Sequence, residues 1–400
     1  MYRRPNWSHV LRVGLLAALP FVAACDDEVL NPPTADAGAM FVRYVAIGNS
    51  ITAGFQSGGI NENTQLESYA SLLAEQFGVS EFHVPLLAFP GCPPPYSNIF
   101  TQERIATIPN DCALRKAPTA EFLNNVAVPE AGVIDVLDNL DDRSNANALT
   151  TLILGGRTQL EAAAEVQPTF VTVWIGNNDV LGAALSGLQL PVTAAATFDE
   201  DYTSIMNQLD AMGVEGGALI GVVNVTNMPN LSAGQVYWGL QAQGLLPPAP
   251  LLTLLNCGPT EGGGNSLIPF AYGFPKIAAA SPPNLIPQTI DCLGDAEVLT
   301  PTEIQTVATA VASYNATIST AASGRGWAYW DPNPTFDSLR AVGEIPLFPN
   351  APPSPLSLTE PFGPWLSLDG VHPNAAAHVL IADHVIDAIN TTYGTDIDHP

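Results

Sequence analysis

Apolar positions along the chain follow two alternating periods. Short runs rich in aliphatic, aromatic and β-branched residues, Val42–Ile47, Thr169–Ile175, Ala218–Val225 and Trp327–Trp330, read as strands buried on both faces. Leu123–Val128 reads as a further core strand, and Phe82–Ala88 as a short one. Between them lie stretches with helical spacing: Ser68–Phe77 (Tyr69, Leu72, Leu73, Phe77), Leu160–Val166 and Phe198–Met212. A short amphipathic stretch, Val133–Leu140, follows the Leu123–Val128 run. Thr300-Pro301-Thr302-Glu303 is a capping box with proline at the first helical position, opening a helix to about Ser323, and Ala375–Ile389 reads as the closing helix. Strands alternating with helices predict an α/β fold with a mainly parallel, doubly wound sheet.

Two stretches break this rhythm, at about 79–120 and 229–299. Both are rich in proline and hold two cysteines each, so they read as insertions. Seventy structureless residues are improbable in a compact domain, so 229–299 is expected to be a disulfide-pinned lid or a small subdomain.

Composition narrows the partners. The formal charge is −26, with 12 basic residues against 38 acidic ones, so no basic patch is available to track a phosphate backbone. Nucleic acid is therefore not expected as a partner.

The amino end reads as an address. Arg3, Arg4 and Arg12 precede an apolar run, Val13–Ala24, that ends in small residues and is too short to span a bilayer comfortably. This predicts a secretory signal over 1–24. Cys25 directly after Ala23-Ala24 resembles a bacterial lipobox, which implies lipidation of Cys25 and a tether over 25–40. The expectation is an exported, lipid-anchored protein of the cell envelope, in the periplasm or at the cell surface, and a monomer. The remaining Cys92, Cys112, Cys257 and Cys292 are an even set in an exported chain, and nearest-neighbour pairing gives Cys92–Cys112 and Cys257–Cys292. No paired spacing suited to a metal accompanies them, and neither a metal nor an organic cofactor is expected.

Three polar turns carry candidate chemistry. Gly48-Asn49-Ser50 follows the first strand, where a side chain sits at the sheet's carboxyl edge near free helix N–H groups. Gly176-Asn177-Asn178-Asp179 follows a later strand, and an Asn amide there offers a neutral donor for an oxyanion. Asp369-Gly370-Val371-His372-Pro373 precedes the last helix. Pro373 restricts His372 to extended geometry, and Asp369 lies three residues back, where it can orient an imidazole and stabilise its cation. His83, His378, His384, Trp174 and Asp331 read as packing, surface or loop residues.

Taken in order, these blocks resemble the SGNH/GDSL hydrolase superfamily, over nearly all of 41–393 apart from the insertions, with 394–400 as a tail. The resemblance implies a flavodoxin-like three-layer α/β/α sandwich and serine-dependent ester hydrolysis. It implies Ser50 as nucleophile, His372 as general base and later acid, and Asp369 as its orienting partner. Asn178 and the Ser50 N–H would form part of an oxyanion hole. Most members carry Gly-Asp-Ser where this chain has Gly48-Asn49-Ser50; that Asp is not a catalytic acid. The family's glycine after the second strand falls at Glu130, in Asn124-Asn125-Val126-Ala127-Val128-Pro129-Glu130, so the third N–H comes from Glu130, Gly132 or Gly91.

The expected substrate is an ester, of a lipid, an acylated glycan or a small alcohol. The apolar 229–299 insertion favours a hydrophobic acyl group beneath a lid. A rival reading is a catalytically weak surface lipoprotein that binds glycan or lipid, and another is a structural lipoprotein in which Ser50 and His372 lie far apart.

Overall fold

The strands expected from the all-apolar runs form the centre of the protein. In the computed structural model, which describes residues 37–107 and 115–400, β1 (Tyr44–Gly48), β2 (Phe170–Trp174), β3 (Gly216–Ile220) and β4 (Ala328–Trp330) make one sheet in the order β1-β2-β3-β4. All three pairings are parallel, with Gly48 opposite Trp174, Thr172 opposite Ala218, and Ala218 opposite Ala328. Every residue of β1, β2 and β3 is buried, which is why their sequences lack alternation.

Helices cover both faces. The main ones are α1 (Ser50–Ala53), α2 (Tyr69–Gln76), α3 (Gln159–Val166), α4 (Asn178–Leu185), α5 (Ala195–Ala211), α6 (Pro301–Arg325) and α7 (Ala375–Tyr393). Helices α2 and α7 pack together, with α7 on β3 and β4, while α5 and α6 pack together elsewhere on the sheet. The expected capping box is formed: Thr300 accepts the Glu303 N–H and Glu303 reaches back to the Thr300 N–H. Helix α6 runs through Gly324 and ends at Gly326, whose φ of 66° supplies the left-handed cap. The chain thus has an α/β fold with a parallel central sheet flanked by helices.

Residues 123–128, expected as a core strand, are not a continuous one. They nevertheless run beside β1: Ala46 N–H donates to the Asn124 carbonyl at 2.8 Å, Val126 N–H to the Ala46 carbonyl at 2.9 Å, and Val128 N–H to the Gly48 carbonyl at 3.2 Å. Regularity is lost because side chains compete for the ladder. Asn124 Nδ2 donates to the Tyr44 carbonyl, Asn125 Nδ2 to the Thr52 carbonyl, and Asn125 Oδ1 accepts the Ala127 N–H. Residues 82–88 likewise form no strand, only a bridge between Leu87 and Arg115, and the Leu87 N–H is held by the Gln65 side chain. The amphipathic stretch after residue 132 is a single 3-10 turn, Ile134–Val136. Two helices lie in segments for which the sequence suggested no helix, Ala148–Leu154 and Asn333–Ala341. The second buries no residue fully and carries proline in its first turn, where the missing N–H has no helical partner to lose.

The 229–299 insertion is folded. Leu231–Ala233 pairs antiparallel with Leu267–Pro269, and Leu252–Leu255 pairs parallel with Gln288–Asp291. Its own apolar cluster includes Tyr237, Leu252, Ile268 and Ile290, and Cys257–Cys292 is disulfide-bonded across 35 residues. It also carries two helices, Gly234–Ala242 and Phe270–Ala280, that the sequence reading did not resolve. In the earlier insertion Tyr96–Asn98 and Glu103–Arg104 form a small hairpin, with Arg104 over the Tyr96 ring. Phe100 at its tip packs on Phe270 and Phe274, joining the two insertions. Cys92 is buried; its expected partner Cys112 lies outside the described residues, as do Cys25, the predicted signal and most of the tether.

Candidate active site

Strand β1 delivers Ser50. Asn49 leaves helical geometry at φ −110°, its Oδ1 accepts the Ile51 N–H at 3.1 Å, and Ser50 begins α1. This is ordinary N-cap chemistry, and it exposes the first turn's N–H groups at the sheet edge beside the serine hydroxyl. Gly48 is required because a Cβ there would lie 2.2 Å from Thr52 Oγ1. Ser50 is 7% exposed, so its hydroxyl is reached only from the cleft.

The other half of the site arrives from the far end of the chain. His372 Nε2 lies 2.9 Å from Ser50 Oγ, and His372 Nδ1 lies 2.9 Å from Asp369 Oδ2. Helix α7 begins at Ala375 as expected, and Asn374 is its cap, accepting the Ala377 N–H. The Phe55 ring packs 4.9 Å from the imidazole, limiting its rotation. Asp369 accepts four further bonds. Its Oδ1 takes the Val371 and His372 N–H groups, each at 2.9 Å, and the Ser367 hydroxyl at 3.2 Å; its Oδ2 takes the Gly58 N–H at 2.6 Å. Burial raises the carboxyl pKa, but the charge of His372 and these hydrogen bonds outweigh it and hold the group down at about 2. Asp369 is therefore an anion at any working pH. The arrangement can withdraw a proton from Ser50 and stabilise the resulting imidazolium.

The candidate oxyanion donors are placed by β2 and the segment beside β1. Asn178 opens α4 directly after the Gly176 turn, and its Nδ2 donates one hydrogen to the Ala131 carbonyl at 2.9 Å, leaving the second for a ligand. The Val128–Gly48 bond seats the 129–131 loop next to the Ser50 turn. Of the three N–H candidates, Gly91 N–H is used by the Ala88 carbonyl at 3.0 Å and Gly132 N–H by Asp135 Oδ2 at 2.7 Å. Glu130 takes φ +69°, the left-handed conformation for which glycine is the usual residue. Its carboxylate points to Asn147 Nδ2, 3.4 Å away, and its carbonyl toward Asn145.

Beneath this loop two buried carboxylates hold consecutive amides. Asp135 takes Gly132 N–H, and Asp179 Oδ2 takes Val133 N–H at 3.0 Å while Thr193 donates to Asp179 Oδ1 at 2.8 Å. Burial, opposed by those hydrogen bonds and aided by the nearby Asp135 and Asp201 charges, pushes the Asp179 carboxyl up to about 7. His378 is buried in packing, its Nδ1 accepting the Tyr69 N–H, and burial drives its pKa down to about 3. His384 stacks on Trp330, Asp331 caps the turn at Asn333, and His83 packs on Phe122. None of these reaches the Ser50 hydroxyl. Among the described residues no cluster of His, Cys, Asp and Glu is arranged to hold a metal ion.

Sequence reasoning missed the groups that hold Asp369. Ser57 N–H donates to Ser367 Oγ at 2.8 Å, and Leu368 N–H donates to Ser57 Oγ at 3.1 Å. Asn230 Nδ2 donates to the Asp369 carbonyl at 2.8 Å, so the 229–299 insertion is hooked to the site at its first residues. Nothing in their spacing marks these residues; only the fold brings them together.

This geometry agrees with comparison to known proteins. A family model, GDSL-like Lipase/Acylhydrolase, matches residues 44–385. Among solved structures, the chain is similar to a candidate GDSL-like lipase from Parabacteroides merdae ATCC 43184, at 11% identity over 87% of this chain and 94% of that one, with a TM-score of 0.37. It is also similar to an acetylxylan esterase from Geobacillus stearothermophilus, at 12% identity, 88% and 94% coverage and a TM-score of 0.37. An α/β-hydrolase enzyme from the metagenome of Lake Arreo, Spain, gives 15% identity, 88% and 94% coverage and a TM-score of 0.36. No curated protein matches the sequence. The match over 44–385 spans both halves of the site and the sheet between them, and the chain belongs to the GDSL-like lipase/acylhydrolase family.

Proposed function

We propose that this protein is a serine hydrolase of carboxylic esters that works through an acyl-enzyme on Ser50. The observation that carries the reading is the unbroken chain Ser50 Oγ–His372 Nε2 and His372 Nδ1–Asp369 Oδ2, 2.9 Å at each link. Ser50 Oγ attacks the ester carbonyl as His372 takes its proton. The tetrahedral oxyanion is met by the free hydrogen of Asn178 Nδ2 and the N–H groups of Ser50 and Glu130. His372 returns the proton to the departing alcohol, and the ester bond breaks. Water then attacks the acyl-enzyme with His372 again as base, releasing the acid and restoring Ser50. Asp369 stays ionised throughout and holds Nδ1–H.

The left-handed Glu130 supports full catalysis over a purely binding role. It supplies an N–H in the conformation the family's glycine would adopt, with its carboxylate turned to Asn147 and away from the oxyanion. The protein is exported and anchored through a lipid on Cys25, a reading supported by the basic, apolar and small-residue order of 1–25. The test is hydrolysis of p-nitrophenyl acetate and butyrate by the protein beside Ser50→Ala. Turnover that vanishes in the variant is expected; equal inactivity of both on every ester, acetylated glycans included, sinks the enzyme reading. Metabolic labelling with a fatty-acid analogue, lost in Cys25→Ser, tests the anchor.

A further inference from the structure

The loop that carries Glu130 has a partner for every amide but one. Ala131 N–H donates to the Val128 carbonyl at 3.2 Å, Gly132 N–H to Asp135 Oδ2 and Val133 N–H to Asp179 Oδ2. Pro129 has no N–H, and among the described residues the Glu130 N–H meets no acceptor. The residues on either side of it are tied to the site. Val128 N–H donates to the Gly48 carbonyl at 3.2 Å, and the Ala131 carbonyl takes Asn178 Nδ2 at 2.9 Å. A free donor is therefore kept in the stretch that joins the nucleophile turn to Asn178.

That donor is aimed from the other end of its own peptide. In a planar trans peptide the C=O and N–H point in opposite directions, so a group that grips the Pro129 carbonyl also directs the Glu130 N–H. Asn147 Nδ2 lies 3.3 Å from that carbonyl. The same nitrogen lies 3.4 Å from Glu130 Oε2 and 3.3 Å from the Asn145 carbonyl, so its two hydrogens are shared among three acceptors. Asn147 is not free to turn its amide over. Its Oδ1 caps the Ala148–Leu154 helix, taking the Leu149 N–H at 2.8 Å and the Thr150 N–H at 3.4 Å. A flip would set the NH2 group against those two donors.

We infer that Asn147 is a positioning residue for the proposed reaction, acting through the Pro129–Glu130 peptide to point the Glu130 N–H at the ester oxygen. The inference rests on the serine esterase reading. It also gives the departure from glycine at Glu130 a counterpart, because the same amide draws the Glu130 carboxylate aside.

The experiment compares Asn147→Ser and Asn147→Asp with wild type. Both keep an oxygen that caps the helix and lose the amide donor. Steady-state kinetics on p-nitrophenyl acetate are run beside thermal melts followed by circular dichroism. Asn147→Ser is expected to lower kcat about tenfold, the upper scale of one hydrogen bond, with KM and melting temperature near wild type. Asn147→Asp sets a carboxylate against the Pro129 carbonyl and Glu130. A displacement of about 1 Å costs about 10² in rate, and kcat is expected to fall by that order. Adding Glu130→Gly to Asn147→Asp removes the repulsion between carboxylates but not the loss of the donor, so a deficit of about tenfold stays. Should one single variant fail to fold, the other decides. An active wild type with kcat unmoved in the single variants overturns the inference, as does a change confined to KM or full recovery in the double variant; a residue that merely caps its helix would give the first of these results. A wild type inactive on every ester sinks the esterase reading and the inference with it, so wild type alone tells the two failures apart.

Discussion

Ser57 and Ser367, 310 residues apart in sequence, are joined by a 2.8 Å hydrogen bond from the Ser57 N–H to the Ser367 hydroxyl. That hydroxyl donates in turn to Asp369, and the neighbouring Gly58 N–H grips the other carboxylate oxygen. The loop that follows the nucleophile helix therefore sets the position of the acid. Ser367→Ala is expected to lower kcat about fivefold with KM unchanged, the scale of one hydrogen bond of about 1 kcal/mol. Steady-state kinetics on a soluble p-nitrophenyl ester will show it, and a change confined to KM would contradict a positioning role.

Asp369→Asn keeps the shape of the acid but presents a neutral amide to Nδ1, favouring the wrong tautomer of His372. A loss in kcat of about 10³–10⁴ is expected, by analogy with the serine protease triad. Folding should survive, which the unchanged far-UV circular dichroism of the variant will check.

Asn178→Ala removes the proposed side-chain donor of the oxyanion hole and leaves the Ala131 carbonyl without its partner. One such donor accounts for about 10²–10³ in turnover. Measured kcat should fall by that order; a loss below tenfold would place the oxyanion elsewhere.

Glu130 holds φ +69° against its own Cβ. Glu130→Gly is expected to raise stability by about 1 kcal/mol and to retain activity, because the N–H is unchanged. Denaturant melts and kcat together test this. A collapse in kcat would mean that the carboxylate itself, through Asn147, keeps the loop in place.

Asp179 gives stability a pH signature. Its folded pKa of about 7 lies above the ordinary carboxyl value of 3.8. The folded protein therefore binds the extra proton between those limits, and ionisation above them is penalised. Stability contributed at this site falls as pH rises from about 4 to 7 and is level beyond. Melting temperatures of wild type and Asp179→Asn should diverge across that window, the variant losing less as pH rises.

Much of this was legible in the sequence, for physical reasons. Strands buried on both faces are written as unbroken apolar runs, so β1, β2 and β3 stood out, and the Thr300–Glu303 box marked the start of α6 within a residue. The polar turns at Ser50 and Asn178 were visible because each ends an apolar strand, and the one at His372 because Asp369 and Pro373 bracket the histidine just ahead of the last helix. The second edge segment was read as a continuous strand, whereas the side chains of Asn124 and Asn125 bond the Tyr44 and Thr52 carbonyls and interrupt the regularity of its pairing with β1. Which of the candidate N–H groups stays unpaired was hidden for a related reason: backbone φ at Glu130 and the capture of the Gly132 amide by Asp135 are set by tertiary contacts. The clamp of Ser57, Gly58 and Ser367 joins distant loops and has no local signature.

The 322 residues between Ser50 and His372 have a consequence for the order in which the site comes into being. A chain emerging from its amino end carries Ser50 through the making of the entire sheet without its histidine partner, and the proposed ester chemistry would begin only when the last helix docks. The nucleophile and its base are thus held on separable parts. Cutting the chain in an exposed loop between β4 and Ser367 would yield two silent pieces whose reunion switches hydrolysis on, a ready-made reporter of its own assembly.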